Sequence, residues 1–157
     1  MLAMEKNNTF EKYKSKGLTG LANLGNTCFI NSIVQCLSHT YELNDFLLEK
    51  KWKQRINKIP ESLLLIEWDK LRTLMWSENC IIKPAGFINA LQKVSHLKDK
   101  EIFTGYAQND LTEFMNFLFN CFHESIKREV EMNIKGNIKN DKDKLAITCY
   151  NMMKNMY

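Results

Sequence analysis

Apolar residues recur at helical spacing along most of this chain, and no convincing run of alternating positions marks a strand. Phe29, Ile30, Ile33, Val34 and Leu37 share one face of a helix predicted from Cys28 to about His39. A short helix is expected after Asn44, whose side chain suits an N-cap. Pro60 suits a first turn and opens a segment in which Leu64, Trp68, Leu71 and Met75 step by four, three and four, a buried stripe. Pro84 repeats the device, which predicts helices over 60–77 and 84–95. Leu111, Phe114, Met115, Leu118, Phe122 and Ile126 form the longest periodic segment, a helix over roughly 109–130, and a last amphipathic helix spans about 142–155. Residues 17–27 hold three of the six glycines and cannot form a long helix, while 97–107 and 132–141 read as loops. The pattern predicts a mainly α chain.

Length and composition narrow the class. A chain of 157 residues with 45% hydrophobic and 25% charged residues is that of one globular domain or a piece of one. Its densest apolar run, Leu63 to Ile66, falls far short of the roughly 20 residues a membrane span needs, so no membrane partner is expected. No apolar core follows the charged N-terminus, so no signal peptide is visible and a soluble protein is expected. Residues 1–16 read as a flexible basic tail carrying Lys12, Lys14 and Lys16. The net charge of +4 comes from 19 Lys and 3 Arg spread along the chain, without the concentrated basic face that nucleic-acid binding requires. Five cysteines, at 28, 36, 80, 121 and 149, contain no C-x-x-C pair, which leaves no metal site and no cofactor to expect. Their odd number points to reduced thiols in the cytoplasm or nucleus.

One cysteine stands apart. In GLTGLANLGNTCFINSIVQCL a Gly-rich loop delivers Cys28 to the start of an amphipathic helix. Unpaired amides and the helix dipole at such an N-terminus favour the thiolate, the nucleophilic form. The same amides can stabilise an oxyanion on an attacked carbonyl. The alternative at this position is a buried structural cysteine.

The string from Gly17 to Ser32, with its core Asn23-Leu24-Gly25-Asn26-Thr27-Cys28-Phe29-Ile30-Asn31-Ser32, resembles the Cys box of the ubiquitin-specific proteases, papain-like cysteine peptidases that remove ubiquitin from proteins. A second segment, Gly105 to Phe119, resembles the family's box Q-Q-D-A-x-E-F-L: Gln108, Asp110, Glu113 and Phe114 match, whereas Asn109 and Leu111 depart from it. The helices between the boxes resemble the family's helical thumb, so the resemblance covers about 17–157. It implies the helical thumb of a papain-like α+β fold whose β-rich palm and fingers are missing here. It also implies a thiol-dependent deubiquitinase with ubiquitin and ubiquitinated proteins as partners. By the same resemblance, Cys28 is the nucleophile, Asn23 the side-chain oxyanion donor, and Gln108, Asp110 and Glu113 bind substrate. The two acids match residues that grip ubiquitin's basic C-terminal tail. Asp110 and Glu113 equally suit a helix cap and its capping box.

A thiol peptidase also needs a general base. Along a regular helix His39 lies eleven residues, or about 16 Å, from Cys28, which excludes it. His96 and His123 lie in no sequence resembling the family's G-H-Y box. The chain is therefore expected to be the N-terminal part of a longer peptidase, inactive or nearly so alone, with the missing C-terminal half supplied by the full-length chain. A non-catalytic, ubiquitin-binding protein that retains the thumb is the second reading.

Overall fold

The computed structural model describes residues 11–100, 103, 109–128 and 137–156. Among them the helices are α1 (Cys28–Ser38), α2 (Tyr41–Leu48), α3 (Ser62–Met75), α4 (Ala85–Leu97), α5 (Leu111–Ile126) and α6 (Asp141–Met156). Two strands of two residues, β1 (Gly20–Leu21) and β2 (Ile81–Ile82), pair in parallel with Gly20 opposite Ile81. Residues 1–127 and 128–157 form two separate units.

In the first unit α3 is the central element. Its stripe of Leu64, Trp68, Leu71 and Met75 is buried as the spacing predicts. Trp68 meets Phe87 of α4 with ring centroids 6.2 Å apart and Phe122 of α5 at 6.4 Å. Each such side chain taken out of water contributes about 1.5–3 kcal/mol. On α1 the five predicted apolar residues are all buried, and Phe29 packs edge-on against Phe114 at 5.4 Å. Phe103 wedges against Phe114 and Phe117. In the second unit α6 starts with a reciprocal cap: Asn140 accepts from the Asp143 amide at 3.0 Å, and Asp143 accepts from the Lys139 amide at 2.8 Å. Leu145, Met152 and Met153 are exposed.

Several elements differ from the pattern's expectations. The helix expected after Asn44 begins at Tyr41, and Asn44 lies buried inside it. Its Nδ2 donates to Ser38 O at 2.6 Å, satisfying a carbonyl that α1 leaves open at its C-terminus. Pro60 lies in the turn before α3 rather than in its first turn. Strand pairing appears where the periodicity shows none, because two residues are too few to alternate. A 3₁₀ turn, Lys51–Gln54, buries Trp52, whose Nε1 donates to Leu47 O. At the end of α5, Asn57 donates to the carbonyls of Glu124 and Lys127 and stops the helix four residues short of the expected boundary.

Lys12, Lys14 and Lys16 are exposed, but Lys12 pairs with Asp45 and Tyr13 beside it is buried. It stacks on Tyr41 at 4.4 Å, meets Trp76 at 5.0 Å, and donates to Asp45 at 2.6 Å. Among the described residues no helix is long and apolar enough to cross a membrane.

Candidate active site

Cys28 is the first residue of α1, exposed and unpaired. The turn before it is closed by two side chains. Asn23 Oδ1 accepts from the Thr27 amide at 3.1 Å and from Thr27 Oγ1 at 2.8 Å, while Thr27 Oγ1 accepts from the Leu24 amide at 3.0 Å. Thr27 is fully buried, and Gly25 turns the chain with φ of +108°, a conformation that favours glycine. With its oxygen committed to Thr27, Asn23 keeps its Nδ2 as the end able to donate elsewhere, and the side chain is exposed.

Helix α5 brings the second box to the same end of the fold. Phe29 and Phe114 each lie in the first turn or so of their helices, so their contact sets the N-termini of α1 and α5 side by side. Asp110 caps α5, its Oδ1 accepting from the Glu113 amide at 2.9 Å. Glu113 is half-exposed, with Lys100 Nζ 3.9 Å from its carboxylate. An open cavity of about 540 Å³ beside α5 is lined by Lys98, Lys100, Asp110, Glu113, Phe117 and Cys121. Burial pushes the Cys121 thiol up to about 11, which disfavours its thiolate. Gln108 lies outside the described residues.

None of the three histidines lies near the first turn of α1 in sequence. Helix α1 runs unbroken to Ser38, and His39 ends it, Nδ1 lying 3.0 Å from Gln35 O and from Ser38 Oγ. His123 sits nine residues beyond Phe114, or about 13 Å along α5. His96 is exposed in the last turn of α4.

The model of the family described as ubiquitin carboxyl-terminal hydrolase matches residues 19–156, most of the chain. The chain belongs to that family. Among its members, human ubiquitin carboxyl-terminal hydrolase 2 is 37% identical over 130 residues, covering 80% of this chain and 20% of the human protein. Ubiquitin carboxyl-terminal hydrolase Usp2 of Drosophila melanogaster is 35% identical over 132 residues, covering 82% of this chain and 14% of its own length. A solved SAGA Ubp8/Sgf11/Sus1/Sgf73 DUB module bound to ubiquitin aldehyde gives a TM-score of 0.54 at 27% identity, over 79% of this chain and 29% of that one. This chain therefore spans a fifth or less of those two curated hydrolases. Its helical architecture agrees with the thumb that the resemblance implies.

Sequence reasoning names Cys28, Asn23, Gln108, Asp110 and Glu113 but assigns no role to Asn31 or Gln35, which hold the segment leading to Asn23. Their spacing from Cys28, three and seven residues along one helix face, is the signal that finds them.

Proposed function

We propose that this chain carries the nucleophile of a thiol-dependent deubiquitinase of the ubiquitin carboxyl-terminal hydrolase family. The observation that supports it best is an exposed Cys28 opening α1 directly after a turn that fixes Asn23 by its oxygen. In this reading Cys28 Sγ bonds to the carbonyl carbon of ubiquitin's C-terminal glycine. Asn23 Nδ2 and backbone amides near Cys28 stabilise the oxyanion. The C–N bond then breaks, the departing amine takes a proton, and water hydrolyses the thioester to return a thiol and a carboxylate. Asp110 and Glu113 hold the basic tail of ubiquitin by charge-assisted hydrogen bonds, with Gln108 beside them in the same box. His39 is no candidate for the general base, since its Nδ1 lies against Gln35 O and Ser38 Oγ at the far end of α1. In this reading the protein works in a reducing compartment, cytoplasm or nucleus, a placement supported by the odd number of cysteines in the sequence.

The second reading, ubiquitin binding without cleavage, draws on the exposed acids at the N-terminus of α5. One experiment separates the two. Ubiquitin aldehyde, ¹³C-labelled at its reactive carbon, is added to the 157-residue chain and followed by NMR. A thiohemiacetal that disappears in Cys28→Ala supports the first reading, and no turnover of a fluorogenic ubiquitin C-terminal substrate is expected from the chain alone. Saturable binding without an adduct supports the second. An adduct that survives Cys28→Ala, or neither binding nor adduct, overturns the proposal.

A further inference from the structure

Helix α1 has one buried face, formed by Phe29, Ile30, Ile33, Val34 and Leu37, and an opposite face that carries Cys28, Asn31 and Gln35. Steps of three and four residues align these three along the axis. The extended segment 19–22 runs past them in the opposite direction. Gln35 Nε2 donates to Thr19 O at 2.8 Å, and Asn31 Nδ2 is shared between Leu21 O at 3.4 Å and Ala22 O at 3.3 Å. Three steps of extended chain from Thr19 to Ala22 cover about 10 Å. Seven residues of helix from Gln35 to Cys28 cover about 10.5 Å. The match brings Ala22, the residue before Asn23, level with Cys28.

The far flank of the segment is equally fixed. The Gly20 amide donates to Cys80 O at 2.8 Å and the Ala22 amide to Ile82 O at 2.9 Å. Thr19 Oγ1, buried, lies 2.8 Å from Met75 O and 2.5 Å from Glu78 O at the end of α3. Asn31 itself gains little from its surroundings: its Oδ1 is buried with no partner among the described residues, a cost the fold bears to keep Nδ2 on the two carbonyls.

We infer that Asn31 and Gln35 are positioning residues: from the helix that presents Cys28, their amides register the 19–22 segment so that Asn23 Nδ2 meets the oxygen of a carbonyl bonded to Cys28. The inference rests on the function proposed above. It adds that the oxyanion donor is held from the nucleophile's own helix, so the two move as one body.

The test uses the ubiquitin aldehyde adduct, in which the S–C bond forms and the former carbonyl oxygen takes the thiol proton, so that no distant base is required. Asn23→Ala is expected to weaken the adduct equilibrium about tenfold or more, since removing an oxyanion-hole donor is costly. Asn31→Ala weakens it about three- to tenfold while the affinity for unmodified ubiquitin stays unchanged. In the Asn23→Ala background Asn31→Ala has no further effect, because residues that act through one another are not additive. If Asn31→Ala does not fold, Gln35→Met, which keeps the length and removes the donor, carries the same cycle. An unchanged equilibrium, or an equal loss in both backgrounds, overturns the positioning role while leaving Cys28 as nucleophile. Absence of any Cys28 adduct in the unsubstituted chain overturns both.

Discussion

Gly17 turns with φ of +72° flat against the indole of Trp76. A Cβ there meets three ring carbons at 2.6–2.8 Å, closer than real contacts allow. Trp76 has little room to yield, since its Nε1 donates to Ser38 O at 3.1 Å and its ring is edged by Tyr13. Gly17→Ala is therefore expected to lower stability by about 1–3 kcal/mol, from strain at a left-handed position plus steric displacement. Urea unfolding followed by tryptophan emission measures it, and a change below the error of the midpoint would contradict the close packing. The consequence reaches the site, because Gly17 leads directly into the 19–22 segment.

At the scale of the element, α5 gives Asp110 two uses that can be separated. As N-cap its Oδ1 takes the Glu113 amide; as a charge it stands among the groups proposed to hold ubiquitin's tail. Asp110→Ala removes both and is expected to cost about 1 kcal/mol of stability, whereas Asp110→Asn, itself a good cap, changes stability by only about a few tenths. Ubiquitin binding is expected to weaken in both variants. Thermal unfolding and titration with ubiquitin, run on the pair, check this; equal stability losses would assign the stabilisation to charge rather than to the cap. Helix α5 also illustrates what periodicity conveys. Its apolar stripe located the helix, but its end at Ile126 is set by Asn57, about seventy residues away, taking the last carbonyls.

For the whole first unit, three carboxylates tie distant segments together. Lys12 and then Tyr13, by hydrogen bonds to Asp45, hold its carboxyl below the ordinary value. A hydrogen bond from Lys98 does the same for Glu61. Asp69, 4% exposed, is pushed up by burial but pulled further down by its hydrogen bonds to Arg72 at 2.8 Å and Lys53 at 2.7 Å. In each case the folded chain holds the proton less tightly than the unfolded one. The stabilisation is thus complete above the unfolded values near 4 and is lost as pH falls through the lower folded values. The urea midpoint is expected to be flat between about pH 7 and 5 and to drop below about pH 4, with a shallower drop in Asp69→Asn. A midpoint that does not fall on acidification would contradict these pairings.

Much of this protein follows from local rules of its sequence. Spacing by three and four identified the buried faces of α1 and α3 and the middle of that of α5, whose outer stripe members Leu111 and Ile126 are exposed, because a helix repeats every 3.6 residues whatever surrounds it. Resemblance of the two boxes to the family's motifs singled out Cys28, Asn23, Gln108, Asp110 and Glu113. Tertiary structure decided the remainder, where partners lie far apart in the chain. It paired Gly20 with Ile81, drew Tyr13 into an aromatic cluster, and turned Asn44 from an expected cap into a buried donor. It also gave Asn31 and Gln35 their carbonyl partners on the 19–22 segment. An amide side chain reads the same in any helix; only a folded chain specifies which carbonyl it meets.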